Sequence, residues 1–481
     1  MWRELLLVAW SVQVAYEVSK LLEQRSRRLM KKRAKICWDV GGEDRISALP
    51  DDLLVHILMF LPTKKVVATM ILSKRWRFIW TMVPQLFYKE INHVTRKGFL
   101  GGLLDRLFGK QKRSVWRFLD ESLQAHKAPI LEKLVIELGP QCPIDVDVGK
   151  WIANAVERRV RVLSFELMWS AMPIRLPKSV YTCHTLYHLY LFDKILVDVP
   201  SPACLPSLQY LSIYSVVYKD EDSHVRLLSS CPNLKVLVVG RHHQDNVTNF
   251  IIKVPTLECL FYDSVELGAL PNGSLVIDSP RIKRIFIRDY SGGSCSIENE
   301  PRFDKALIYV CCYPDNKFMR SLSSIICLEL LLEVPTVACC NSINFSRLLE
   351  CRIILQDVLD WLEPLMLLLQ NSSILKVLLI HKVTDKHLLP LSWNQPSSVP
   401  GCLSSHLEIF EWKEYGGRSE EKEVVRYIFA NSKCLKRAGI AMKSTRNPKD
   451  KKKMMVELES MSRVSTSSQL LFSTQFGRMD Y

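Results

Sequence analysis

One spacing constrains this chain more than its composition does. From Leu186 onward the pattern Leu-x-x-Leu-x-Leu returns, often introduced by Pro or Cys two or three residues upstream. Its apolar positions are Leu186/Leu189/Leu191, Leu208/Leu211/Ile213, Leu234/Leu237/Val239, Leu257/Leu260/Tyr262 and Ile282/Ile285/Ile287. The first positions lie 22, 26, 23 and 25 residues apart. Weaker copies begin earlier, at Leu131 and Val160. Later ones are Leu348/Cys351/Ile353, Leu375/Leu378/Ile380, Leu407/Phe410/Trp412 and Leu435/Ala438/Ile440.

Those steps fall within the about 20–29-residue period of leucine-rich repeats. One such repeat, a short strand with a return segment, cannot bury its own apolar positions. Stacking the strands in parallel buries a continuous ladder of them. The spacing therefore predicts an α/β chain whose main body is a solenoid with parallel strands on one face. An ordinary α/β domain with look-alike strands is the alternative, and the repetition in fixed register argues against it.

With 481 residues the chain is long enough for two to four domains or one extended array. Hydrophobic residues make up 48% and charged residues 24%, which fits a folded chain and not a disordered one. The net charge of +15 is largely local. Arg25 to Lys35 holds seven basic residues and no acid, and Lys443 to Lys453 holds six more. No aromatic-plus-basic stacking pattern accompanies either run, so a nucleic-acid role is a minor reading. The fifteen cysteines contain no Cys-x-x-Cys. Cys311–Cys312 and Cys339–Cys340 are adjacent pairs, a poor arrangement for two ligands of one tetrahedral metal. Cys183, Cys204, Cys231, Cys259, Cys351 and Cys434 lie in or just before apolar runs, where a free thiol acts as a small buried hydrophobe. This usage predicts reduced cysteines and an intracellular protein, nuclear and/or cytoplasmic.

Near the start, Leu5 to Val18 is apolar-rich but interrupted by Trp10, Ser11, Gln13 and Glu17. It falls short of the roughly 20 continuous apolar residues that span a bilayer. The reading is a surface-seeking or partner-binding helix followed by a basic run. Lys31-Lys32-Arg33-Ala34-Lys35 fits either a nuclear address or a solvated charge cluster. After Gly41-Gly42 the text changes to compact helices. Asp51-Asp52 behind Pro50 offers N-terminal capping, with Leu53, Leu54, Ile57, Leu58 and Leu61 at helical spacing. Pro62 stops that helix and Thr63 can cap the next, whose stripe is Val66, Val67, Met70 and Ile71. Ser73-Lys74-Arg75-Trp76 opens a third, carrying Trp76, Ile79 and Trp80. Three helices in about 40 residues make a marginal core. Such a module finishes burying its surface on a partner.

Catalytic patterns are not found. The chain has no Gly-x-x-x-x-Gly-Lys, Gly-x-Gly-x-x-Gly, Gly-x-Ser-x-Gly or His-Glu-x-x-His. His184 and His188 are four apart but flank a strand start, so they straddle a loop and a strand. His242-His243 reads as an exposed loop after the Val236–Val239 strand. Gly292-Gly293 and Gly416-Gly417 mark turns. No catalytic, metal-binding or cofactor-binding residue is assigned, and no cofactor is called for.

Asp44-Arg45-Ile46-Ser47-Ala48-Leu49-Pro50-Asp51-Asp52-Leu53-Leu54, Phe60-Leu61-Pro62-Thr63-Lys64 and Ile71-Leu72-Ser73-Lys74-Arg75-Trp76-Arg77-Phe78-Ile79-Trp80 closely resemble a plant F-box. Met59 and Met70 stand where that pattern commonly has serine. Trp393, Pro396, Val399-Pro400, Cys402-Leu403, Leu407-Glu408, Phe410, Trp412, Tyr415-Gly416-Gly417, Glu421, Tyr427-Ile428, Asn431 and Cys434-Leu435-Lys436 are similar to the FBD region that follows repeats in such proteins. The resemblance to the F-box/FBD/LRR family covers about residues 44–460.

It implies a three-helix F-box, then an irregular leucine-rich-repeat solenoid, then FBD repeats. The division would be an extension at 1–43, F-box at 44–90, helical linker at 91–129, repeats at 130–345, FBD region at 346–460 and tail at 461–481. It also implies a substrate receptor of a ubiquitin ligase. Its F-box would dock on a SKP-type adaptor that bridges to cullin and RING subunits, while the repeats, by concave face and loops, hold a protein substrate. Adaptor contacts carried onto this chain are Leu49, Pro50, Leu53, Ile57, Leu61 and Trp76, with Leu72 and Trp80 in support. Leu49, Pro50 and Leu53 are expected to face the partner, and Leu58 and Ile71 to face inward. The competing readings are a repeat scaffold with a vestigial F-box and a nucleic-acid-associated protein using the basic runs. Nothing in the residues asks for a small-molecule co-ligand.

Overall fold

The computed structural model describes residues 46, 48–89, 115–139, 146–168, 172–241, 245–264, 273–291, 293–299, 301–310, 316–332, 343–355, 361–383, 398–444 and 446–474. The expectations for residues 1–43, His242-His243, Gly292, the adjacent cysteine pairs, Trp393 and Pro396 lie outside the described residues. The chain divides into two compact units: one comprises residues up to Leu134 together with 477–481, the other Val135–Phe476.

In the first unit, α1 (Asp51–Leu58) starts directly behind Pro50, whose fixed φ suits a helix entry. No side chain caps it. Asp51 and Asp52 occupy the first turn instead, where their charge complements the helix dipole. Asp51 also accepts from Arg75 Nε at 2.7 Å, tying the entry of α1 to the third helix. Thr63 corrects the sequence reading in a similar way. It opens α2 (Thr63–Ala68) without capping it, and its buried hydroxyl accepts from the Phe87 amide at 2.6 Å. A 3₁₀ turn at Thr69–Ile71 follows, then α3 (Trp76–Ile79), a second 3₁₀ turn at Trp80–Met82 and β1 (Gln85–Lys89). Leu54, Leu58, Val66, Trp76, Ile79, Trp80 and Val83 form one buried cluster. Ile71, expected inside, is 89% exposed. The tighter three-residue winding of the 3₁₀ turn rotates it off the stripe that Val66 begins. Farther on, α4 (Val115–Ala125) meets β1 through Tyr88 Oη and Ser122 Oγ, 2.8 Å apart and buried.

The second unit follows from the repeat. Strand β2 (Lys133–Leu138) spans the boundary, and α5 (Val148–Glu157) is held at its start by Asp147, which accepts from the Lys150 amide. The main sheet then runs β3 (Val162–Leu167), β5 (His188–Asp193), β7 (Tyr210–Tyr214), β9 (Val236–Arg241), β11 (Cys259–Ser264), β13 (Arg284–Asp289) and β15 (Lys305–Val310). It continues through β16 (Cys327–Leu332), β17 (Glu350–Leu355), β18 (Val377–Lys382), β19 (Ile409–Tyr415), β20 (Arg437–Met442) and β21 (Gln469–Leu471). The recorded neighbour pairs are parallel and in repeat register. Leu189 sits beside Leu163 and Leu211, Leu237 beside Leu260, and Ile380 beside Ile353 and Trp412. Every triplet named from the sequence is buried. Two more, Phe303/Ala306/Ile308 and Ile325/Leu328/Leu330, are equally buried in β15 and β16.

Two small parallel sheets flank the ladder. One comprises β4 (Ile174–Arg175), β6 (Ile195–Val197) and β8 (Val217–Tyr218). The other comprises β10 (Asn249–Lys253), β12 (Ser274–Asp278) and β14 (Ser294–Ile297). Helix α6 (Ser223–Ser229) packs on β10, where the His224 ring stacks on Phe250 and its Nε2 accepts from the Ile251 amide at 3.0 Å. The cysteines among the described residues are free. Cys183, Cys231, Cys259 and Cys351 are buried, whereas Cys204 and Cys434, read as buried, are exposed. Burial raises the Cys231 and Cys259 thiols to about 11, so they remain neutral hydrophobes.

One close approach is specific to this ladder. The Tyr214 ring lies over Gly240 on the neighbouring strand, and a Cβ at Gly240 would fall 1.8 Å from Tyr214 Cδ2. Gly240→Ala is expected to displace the ring and lower stability by about 1–3 kcal/mol. Urea unfolding of the Gly240→Ala chain, alone and with Tyr214→Ala to vacate the space, checks this; no recovery in the double variant would contradict it.

The C-terminal strands carry a buried ion pair. Lys382, at the end of β18, places Nζ 2.6 Å from Glu421 Oε1. Glu421 is fully buried near the start of α7 (Ser419–Asn431). Its other oxygen accepts from the Gly416 and Arg418 amides at 2.9 and 3.2 Å. Gly417 takes a positive φ of 72°, where a Cβ would also strike Met454 of α8 (Pro448–Ser460). The Gly416-Gly417 turn is thus built around this carboxylate. Cys402, Leu403, Leu407, Phe410, Trp412, Tyr415, Ile428 and Leu435 are all buried as well. Most of the FBD signature therefore records packing.

Candidate docking surface

Helix α1 is apolar on two sides. Leu54 and Leu58 point into the cluster of the first unit, as one i, i+4 stripe must. Leu53 and Ile57 form a second stripe on the other side, continued by Leu61 past the helix end. Leu53 is 50% exposed, and Ile57 and Leu61 are exposed as well. Pro50 is exposed at the helix entry, and Leu49 is half-buried against the cluster. The Leu49 carbonyl accepts from Arg75 Nη2, so the same guanidinium that binds Asp51 holds this corner.

The remaining site residues separate. Leu72 is 62% exposed. Trp76 and Trp80, named as docking residues from the sequence, lie in the core cluster and support the helices from within. Four further exposed apolar residues were missed: Ile46, Phe60, Phe78 and Met82. Phe78 is 64% exposed, and its signal was available, because two residues beyond inward Trp76 a helix presents its other side. So many apolar side chains left exposed on one small unit mark an interaction surface. His56 packs edge-on to Phe60, which holds that ring near the end of the stripe.

Among the described residues no group of three or more His, Cys, Asp or Glu is placed to hold a metal. No described helix is long and apolar enough to cross a membrane. His184 is exposed, while His188 lies against Tyr190 and Tyr210 on the sheet.

A small helical unit with an uncovered apolar stripe, followed in the chain by a parallel-strand repeat sheet, defines a protein of the leucine-rich-repeat class with a helical N-terminal unit. Family models agree with that division. The F-box domain matches residues 46–88, the LRR repeats of an FBD-associated F-box protein match 148–304, and FBD matches 395–440. An F-box/FBD/LRR-repeat protein of Arabidopsis thaliana is 50% identical over 456 residues, covering 90% of this chain and 92% of the relative. An FBD-associated F-box protein of the same plant is 47% identical over 449 residues, covering 90% and 98%. Another F-box/FBD/LRR-repeat protein of that plant is 40% identical over 436 residues, covering 90% and 96%. The chain belongs to the plant F-box/FBD/LRR-repeat family.

Proposed function

We propose that the chain is the substrate-recognition subunit of an SCF-type ubiquitin ligase, acting in the nucleus and/or cytoplasm. The F-box docks on a SKP-type adaptor and through it on cullin and RING subunits. The repeat sheet holds the protein to be ubiquitinated. Its contribution to rate is proximity, a raised effective concentration of substrate lysines near the charged E2, and the receptor performs no bond chemistry itself.

The observation that carries this reading is the uncovered stripe of Leu53, Ile57 and Leu61 within a segment matched by the F-box model. A standard protein interface buries about 1,600 Å² in total, and a few apolar anchors dominate its energy. Pro50, Leu53, Ile57, Leu61 and Leu72 supply such anchors directly, and Leu49 joins them at the edge of the core. Trp76 and Trp80 hold the helices that present them.

Co-purification tests the proposal. The adaptor is expected to come down with the wild-type chain and to be lost with Leu49→Ser/Pro50→Ser. Retention by the double variant would contradict the docking surface. A chain acting through its basic runs would instead bind nucleic acid with an affinity falling steeply with salt, and would lose it on deletion of residues 25–35.

A further inference from the structure

The helical unit around α1 carries positive charge that its own fold does not use. From Ile46 to Lys89 the cations are Lys64, Lys65, Lys74, Arg75, Arg77 and Lys89, against only the carboxylates of Asp51 and Asp52. Arg75 is engaged by Asp51. Asp52 lies in the first turn of α1, where the helix dipole favours it. Lys64, Lys65, Lys74 and Arg77 are exposed, and among the described residues their side chains make no ion pair or hydrogen bond. Lys64 and Lys65 stand in the first turn of α2, which holds no acid. Cations there oppose the helix dipole, so α2 gains nothing from them.

The packing sets where these charges lie. The Leu49 carbonyl and Asp51 both bind Arg75, so the turn before α3 sits at the entry of α1. Lys74 stands in that turn, two residues beyond exposed Leu72. Arg77 directly precedes exposed Phe78 on α3. At the far end of α1, Leu61 closes the uncovered stripe, and Lys64 and Lys65 follow it across Pro62. Free cations therefore stand at both ends of the Leu53, Ile57 and Leu61 stripe, each beside an exposed apolar residue.

We infer that Lys64, Lys65, Lys74 and Arg77 form a steering rim for docking, and that the adaptor meets them with carboxylates set around an apolar groove. The inference rests on the substrate-receptor reading above and names the chemistry of that partner's face. The stripe sets how long the complex lasts, and the rim sets how fast it forms. Charges at the edge of an interface stay hydrated, so they add little to affinity after docking. Their field orients an oppositely charged partner on approach and raises the association rate by about tenfold or more at low salt.

Stopped-flow association of the purified full-length chain with purified SKP-type adaptor, at about 0.02 M and about 0.5 M salt, tests it. The wild-type association rate is expected to fall about tenfold between the two, while the dissociation rate stays within about twofold. Lys64→Glu/Lys65→Glu/Lys74→Glu/Arg77→Glu should associate about tenfold or more slowly than wild type at low salt, and the gap should close at high salt. Lys64→Gln/Lys65→Gln/Lys74→Gln/Arg77→Gln should fall between them, and keeps the test decisive even where charge reversal impairs folding. An association rate indifferent to salt, or unchanged in the variants, would overturn the inference. So would variants that dissociate faster at an unaltered association rate, which would make these residues anchors. Loss of an oligonucleotide held by wild type, with adaptor kinetics unchanged, would overturn it by assigning the charge to phosphate. Failure of the wild-type chain to bind the adaptor strikes the ligase reading, whereas binding at rates blind to salt and charge strikes this inference alone.

Discussion

Leu53→Asp is expected to leave the helical head folded and to abolish its grip on the adaptor, while Leu54→Asp, one residue away, unfolds the head. The contrast follows from α1 alone. Leu53 is half exposed on the uncovered stripe, so a carboxylate there stays hydrated in the free chain. In the complex the same carboxylate would be stripped of water without a partner, which is strongly unfavourable. Removal of a central apolar anchor costs about 2–4 kcal/mol, or roughly 30- to 1,000-fold in affinity. Leu54 has no exposed surface and packs with Leu58, Trp76 and Trp80. An aspartate there removes the packing and buries a charge in a core too small to absorb either loss. Circular dichroism and adaptor binding by calorimetry separate the two outcomes. Adaptor affinity unchanged by Leu53→Asp would show that the stripe is not the docking face.

The second large effect lies in the C-terminal repeats. Lys382→Met is expected to destabilise them by about 3–5 kcal/mol, because it leaves a fully buried carboxylate without its cation. Glu421 would keep the Gly416 and Arg418 amides, which hydrogen-bond it but do not neutralise it. Lys382→Met/Glu421→Gln should recover most of the loss, since a neutral amide oxygen still accepts those two bonds and no longer needs a counter-charge. Urea unfolding of the three chains decides it. A single variant as stable as wild type, or a double variant worse than the single, would contradict this account of the Gly416-Gly417 turn.

How much of this was legible in the sequence depends on which face a residue serves. The ladder was readable because buried positions repeat at a fixed step and tolerate little but Leu, Ile, Val and aromatic residues. Phe303/Ala306/Ile308 escaped notice because Ala306 lowers the apolar signal of its triplet, although the steps of the flanking copies leave room for it. In the head, the helices were visible but the direction of their side chains was only partly so. Leu53 and Leu54 are equally apolar, and only the packing of α1 on Trp76 and Trp80 tells which one is inside. Ile71 was misplaced because helical periodicity was carried through a 3₁₀ turn.

The reading of the head depends on direct contact with one partner, and the most direct measurement is the mass of the species formed when purified full-length chain and purified SKP-type adaptor are mixed. Size-exclusion chromatography with light scattering should show a single one-to-one complex that survives high salt, as an apolar interface does. Separate elution of the two proteins, or association that vanishes as salt rises, would contradict it.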